Sequence, residues 1–143
     1  MKKINSILLI DDDMATNFIS KMLIKKADIT DNIITALNGR QALDYLTNSG
    51  EYENENMLFP TPMLILLDIN MPVMDGWEFA KEFQELNEAQ KGNSIIIMLT
   101  SSQNPDDKAK AINYPSITGF QNKILTMGAL NLILKEYFPS YLN

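Results

Sequence analysis

The 143-residue chain contains no cysteine and no histidine. Without thiols it has no disulfide framework and no thiolate zinc site. Without imidazole it has no histidine-based nucleophilic triad, no histidine metal site and no phosphohistidine of its own. Long apolar runs are missing too, since the longest fall far below the roughly 20 residues that span a bilayer. At the start, MKKINSILLIDDD, two lysines precede a short apolar run that three aspartates break. A signal peptide needs a longer apolar core and a small-residue cleavage site. The chain therefore reads as cytoplasmic, with no membrane association. Basic clusters are also lacking. A formal charge of −6, from 12 basic and 18 acidic residues, argues against a protein that holds nucleic acid by its phosphates.

What is present is the patterning of one ordinary globular domain over residues 1–143, long enough to bury a single core without staples. Short, wholly apolar runs alternate with longer amphipathic stretches. Ile7 to Ile10 is followed by a helical stretch with an apolar face at Phe18, Ile19, Met22 and Leu23. Asn32 to Ala36 is a weaker strand, and Asn38-Gly39 leads into a helix that buries Ala42, Leu43 and Leu46. Met63 to Leu67 and Ile95 to Leu99 are strong strands. Between them, Gly76 to Gln90 reads as a helix burying Trp77, Phe79, Ala80, Phe83 and Leu86. A helix from about Pro105 to Asn113, a short strand near Ile117 to Gln121 and a last helix from about Met127 to Phe138 complete five β-then-α units. Strands that are apolar throughout, separated by helices, imply a parallel sheet covered on both faces. Right-handed crossovers and the length favour a doubly wound, five-stranded α/β fold of flavodoxin-like order 2-1-3-4-5. The polar stretch Asn48 to Pro62 reads as an extended loop before the third strand, most simply a tolerated surface insertion. No linker and no room for an output domain are expected after Asn143.

In an open sheet of that order, ligands sit beyond the carboxyl ends of the strands where the winding reverses, between the first and third strands. Both strands run into acid: Ile10 into Asp11, Asp12 and Asp13, and Leu67 into Asp68. Like charges brought this close repel unless protonated or neutralised. Mg²⁺ is the economical solution, because it binds through carboxylates, phosphate oxygens and water with no need for His or Cys. An Asp at a strand end is often only the N-cap of the next helix, and Asp13 alone is read that way. Asp11, Asp12 and Asp68 together are read as a site. Thr100 ends the fourth strand, where a hydroxyl can donate to a phosphoryl oxygen. Lys123 follows the fifth, where an ammonium can pair with phosphate. Acid, metal, hydroxyl and cation at one sheet edge are the parts that a phosphorylated carboxylate needs.

The segments ILLIDDD, LILLDINMPVMDGWEF, IIMLTSS and GFQNK resemble, in order, the signatures of the response-regulator receiver family of two-component signalling. The likeness extends over essentially the whole chain, and LLDINMPVMDG is highly specific. It implies that Asp68 accepts a phosphoryl group from a histidine kinase or a phosphotransfer protein. It implies that Asp11 and Asp12 hold Mg²⁺, with the Asn70 backbone carbonyl as a further ligand. Thr100 resembles the switch hydroxyl, Lys123 the phosphate-pairing lysine, and Phe120 the aromatic that turns inward on activation; from the residues alone, Phe120 is equally ordinary core. The resemblance further implies a signalling switch and not an enzyme with turnover. The switch catalyses only its own phosphorylation and dephosphorylation, passes its signal to a downstream effector protein or a phosphorelay, and is a monomer or a weak phosphorylation-dependent dimer.

Three departures from the family pattern stand out. Ile124 follows Lys123 where a proline with a cis bond is usual, and a non-proline cis bond costs about 2.5–4 kcal/mol, so a trans bond and an altered Lys123 are expected. Ser101 follows Thr100 in place of a smaller residue. The Asn48 to Pro62 insertion lengthens the connection between the second helix and the third strand and has no assigned role. Two other readings compete: a receiver-like interaction module without phosphorylation, and a phosphatase of the haloacid-dehalogenase type. The second rests on Asp11 and Asp13 as an Asp-x-Asp pair, but Ala15 stands where that family has Thr or Val.

Overall fold

The computed structural model describes residues 3–50, 61–100 and 105–141. Five strands form one parallel sheet: β1 (Ile7–Ile10), β2 (Ile33–Ala36), β3 (Leu64–Asp68), β4 (Ile95–Thr100) and β5 (Ile117–Asn122). Their order is β2-β1-β3-β4-β5, the doubly wound order that the alternation predicts. The crossovers carry α1 (Met14–Ala27), α2 (Gly39–Thr47), α3 (Gly76–Gln84), the short α4 (Glu88–Lys91), α5 (Pro105–Ala111) and α6 (Met127–Tyr137).

The inner strands are apolar up to their last residues because helices cover both faces of the sheet. Successive side chains alternate between the faces. Ile7, Leu9, Leu64, Leu66, Ile97 and Leu99 therefore pack against Ile24 of α1 and Leu130, Ile133 and Leu134 of α6. Leu8, Ile10, Ile65, Leu67, Ile96 and Met98 pack against Ala42, Leu43 and Tyr45 of α2 and Phe79 and Phe83 of α3. Phe79 is completely buried, and a side chain of that size contributes about 1.5–3 kcal/mol of hydrophobic stabilisation. Among the described residues, no helix is long and apolar enough to cross a membrane.

Two elements differ from their sequence reading. The helix expected over Gly76 to Gln90 stops at Gln84, and Leu86 is only half-buried. A second helix starts at Asn87, whose side chain accepts from Gln90 N while the Gln90 side chain accepts from Asn87 N. This reciprocal cap gives the chain a new helix start and so ends the first. The face of α1 also differs. Phe18 is 63% exposed, Ile19 46% and Met22 56%, whereas Asn17, Ser20 and Ile24 are buried. Apolar spacing alone sets a stripe but not its phase. Here α1 seats Ile24 and the half-buried Leu23 against the core together with the Asn17 amide, which donates to the Asp11 carbonyl at 2.8 Å, and leaves Phe18, Ile19 and Met22 outward.

Candidate functional site

The register builds the site. Ile10 is opposite Leu67, so Asp11 and Asp68 lie side by side at the ends of β1 and β3. Carboxylate oxygens of Asp11, Asp12 and Asp68 all lie within 4.8 Å of one another. Asp11 and Asp68 are buried, and Asp12 is exposed at the mouth. Asp11 Oδ1 accepts from Asp13 N at 2.9 Å, while its buried Oδ2 accepts no hydrogen bond. Asp68 Oδ1 accepts from Ile69 N at 2.8 Å. Asn70 follows two residues later and is exposed. A buried carboxylate oxygen that accepts no hydrogen bond, set among three acids, suits a hard divalent cation, and the residues present fit one.

Lys123 enters from the end of β5. Its Nζ lies 3.1 Å from Asp68 Oδ2 and 3.6 Å from Asp11 Oδ2. Its backbone N donates to Thr100 O at 2.6 Å, which ties the β5 end to the β4 end. Among the described residues no peptide bond is cis; Ile124 instead takes a left-handed conformation, φ +64°. The departure from proline therefore leaves the ammonium over the acids. Thr100 is buried at the β4 terminus. Phe120, opposite Met98, is half-buried and packs against the cluster that holds Trp77 and Ile69. Ser101 and residues 51–60 of the Asn48 to Pro62 stretch lie outside the described residues.

The loop after Asp68 is held closely. Gly76 N donates to Ile69 O at 2.8 Å, and a Cβ at Gly76 would run into the Asp68 carbonyl oxygen and sit 3.0 Å from Ile69 Cα. Met74 N donates to Pro72 O at 2.7 Å around Val73, φ +67°, a γ-turn that a β-branched residue adopts only under strain. Asp75 then caps α3 in a box with Glu78.

Burial pushes the Asp11 carboxyl up to about 6, reinforced by the charges of Asp68 and Asp12 and opposed by the Asp13 N–H and Lys123. Burial also raises Asp68, and the hydrogen bond and charge of Lys123 do not fully offset it. For Lys123 burial pulls downward, but its hydrogen bond to Asp68 and the charges of Asp68, Asp11 and Asp12 leave it raised. Burial, more than mutual repulsion, is what holds both acids above their ordinary range. Asp13 points elsewhere: its Oδ1 accepts from Ala15 N and Thr16 N and caps α1. An Asp-x-Asp pair of the phosphatase kind would need that carboxylate free.

Residues 7–137 match the family model described as "Response regulator receiver domain". The chain belongs to the response-regulator receiver family. Receivers are signalling modules and not enzymes with turnover. This receiver is 35% identical over 101 residues to response regulator Rcp1 of Synechocystis sp., a match covering 71% of this chain and 65% of Rcp1. It is 29% identical over 129 residues to two-component response regulator 24 of Arabidopsis thaliana, covering 90% of this chain and 81% of that protein. Among solved structures, a two-component response regulator from Cytophaga hutchinsonii superposes with a TM-score of 0.77 at 33% identity, covering 94% of this chain and 97% of that one. The Mn²⁺-bound form of Rcp1 gives 0.73 at 26% identity, with 97% of each chain covered.

Sequence reasoning did not single out Asn17. A poor helix former on a buried helix face was the available signal.

Proposed function

We propose that this receiver is a phosphorylation-activated switch whose acceptor is Asp68 and whose reaction depends on a divalent cation, Mg²⁺ in the cell. One observation carries the reading: three carboxylates from two adjacent strand ends meet within 4.8 Å, with the Lys123 ammonium against two of them. The cation would be held by Asp11, Asp12, Asp68 and the Asn70 carbonyl, and would supply charge neutralisation for the acids and the phosphoryl oxygens. That the relative Rcp1 has a Mn²⁺-bound form supports a divalent ion in a protein of this kind.

The chain's own residues do the rest. An Asp68 carboxylate oxygen attacks the phosphorus of a donor phosphohistidine. The new P–O bond forms as the P–N bond breaks, and the imidazole keeps the departing electron pair. Lys123 moves from pairing with the acceptor carboxylate to pairing with the incoming oxygens. Thr100, at the β4 terminus, donates its hydroxyl to the acyl phosphate. Its inward movement vacates space for half-buried Phe120, which biases the surface of α5, β5 and α6 towards a downstream effector protein.

A sensor histidine kinase or phosphotransfer protein fits as donor. Beside the mouth, α1 exposes Met14, Phe18 and Met22 at successive turns, and Met14 and Phe18 line a groove with Leu37. An apolar stripe of that kind suits a protein donor better than a small phosphorylated metabolite. Donors of that kind suit a cytoplasmic switch in which residues 1–143 form one receiver domain, acting as a monomer or a weak phosphorylation-dependent dimer.

Beryllofluoride with Mg²⁺ mimics the acyl phosphate. It is expected to shift the amide resonances around Asp68, Thr100 and Phe120 in the wild type and to leave Asp68→Asn unchanged. Identical spectra with and without the mimic in the wild type would remove the reading.

A further inference from the structure

Asn17 is 95% buried on the sheet-facing side of α1, although amides are poor helix formers and costly to bury without a partner. Its side chain has that partner: Nδ2 donates to the Asp11 carbonyl at 2.8 Å. The bond closes a small ring. Asp13 N donates to the Asp11 carboxylate at 2.9 Å, Asn17 N donates to Asp13 O at 3.1 Å, and the Asn17 amide returns to the Asp11 backbone. On the other side, Asp11 N donates to Ala36 O at 3.0 Å, so the residue is held to β2 as well.

The carbonyl that Asn17 holds belongs to the peptide joining Asp11 to Asp12. A peptide is planar, so holding its oxygen restrains the tilt of the whole unit, and with it the backbone rotations at Asp11 and Asp12 that set where their Cα–Cβ bonds point. One of those bonds carries the buried Asp11 carboxylate, whose Oδ2 accepts no hydrogen bond, and the other the exposed Asp12 carboxylate. Both reach the same cluster.

We propose that Asn17 is a positioning residue for the cation site, which acts through the Asp11–Asp12 peptide to aim both carboxylates at one point. The inference rests on the reading that Asp11, Asp12 and Asp68 hold a divalent cation. Groups that orient metal ligands without touching the metal commonly change its affinity by about 10–100-fold when removed. A side chain that merely satisfies a helix would change stability instead.

The test compares Mn²⁺ binding, read from the free-ion signal in electron paramagnetic resonance, with melting of the metal-free protein in EDTA. Asn17→Leu keeps the branched volume and removes the donor. Asn17→Ala is the second variant should the leucine not fold. Ser20→Ala, at another buried position of the same helix, is the control for general loosening. The expected result is Mn²⁺ binding weakened about 10–100-fold by either Asn17 substitution and changed less than about twofold by Ser20→Ala. The inference is overturned if the Asn17 variants bind Mn²⁺ like the wild type, or if Ser20→Ala weakens binding equally. A wild type that does not bind Mn²⁺ removes the cation reading itself, and the inference with it.

Discussion

Lys123 Nζ stands 3.1 Å from Asp68 Oδ2, across the crevice between the β5 and β3 ends, and no other cation is paired with the acidic cluster among the described residues. Replacing it with alanine leaves buried carboxylates without a counter-charge. Breaking such a partly buried pair costs about 1–3 kcal/mol, or several degrees of melting temperature in metal-free protein. Loss of a preorganised cation at a transferring group slows the chemical step by about 10²–10³-fold. Calorimetry in EDTA and the rate of labelling by acetyl phosphate measure the two effects. Unchanged labelling would mean that Lys123 takes no part in the transfer.

The raised Asp11 carboxyl gives a pH dependence of definite sign. In the folded metal-free protein it keeps its proton up to about pH 6, while the unfolded chain releases it near the ordinary value of 3.8. Its contribution to stability is complete below the lower value and is lost as pH rises through the higher one. The metal-free wild type should therefore lose stability relative to Asp11→Asn between about pH 4 and pH 6. The raised Asp68 acts in the same direction. Cation binding must displace that proton, so affinity for Mg²⁺ should fall as pH drops below about 6. Melting curves in EDTA across this range check the first statement, and Mg²⁺ titrations the second. A wild type that gains stability over Asp11→Asn across the window would contradict the assignment.

Gly76→Ala should be severe for its size. The added methyl meets the backbone of Asp68 and Ile69, which no side-chain rotation relieves, so a loss of about 2–3 kcal/mol is expected. Because the acceptor's own carbonyl is what moves, labelling of Asp68 should slow as well. Urea denaturation gives the first quantity. A neutral substitution would show that the loop after Asp68 is not held where the structure has it.

Ile124→Gly should stabilise the protein, against the usual direction for glycine. Lys123 N is tied to Thr100 O, and Leu125 is buried, so Ile124 turns the chain in the left-handed region between two fixed neighbours. A β-branched residue pays for that conformation in strain of about 1–3 kcal/mol, which glycine avoids at some entropic cost. A net gain of about 1 kcal/mol corresponds to a few degrees of melting temperature. A fall would mean that Ile124 has an ordinary φ.

The sheet was legible because doubly covered strands leave a simple mark, short wholly apolar runs, and because few crossover topologies exist for five of them. The acids at Asp11, Asp12 and Asp68 were legible for the same reason: Asp11 and Asp68 each end such a run, Asp12 follows Asp11, and the strand order brings the ends together. What the pattern did not contain was rotation and punctuation. Phe18, Ile19 and Met22 make a good apolar stripe, yet α1 buries an amide at Asn17 in their place, which no periodicity reveals. Asn87 and Gln90 interrupt a credible helix with a cap of their own. Ile124 has no proline, and only coordinates show that a left-handed turn can still bring the lysine to Asp68.

The most direct measurement is the site of covalent modification. After incubation with Mg²⁺ and acetyl phosphate, intact-mass spectrometry should find one added phosphoryl group, and borohydride trapping before digestion should place it on Asp68. Asp68→Asn should remain unmodified under the same conditions. A phosphoryl group on Asp11 or Asp12, or equal labelling of wild type and Asp68→Asn, would contradict the account.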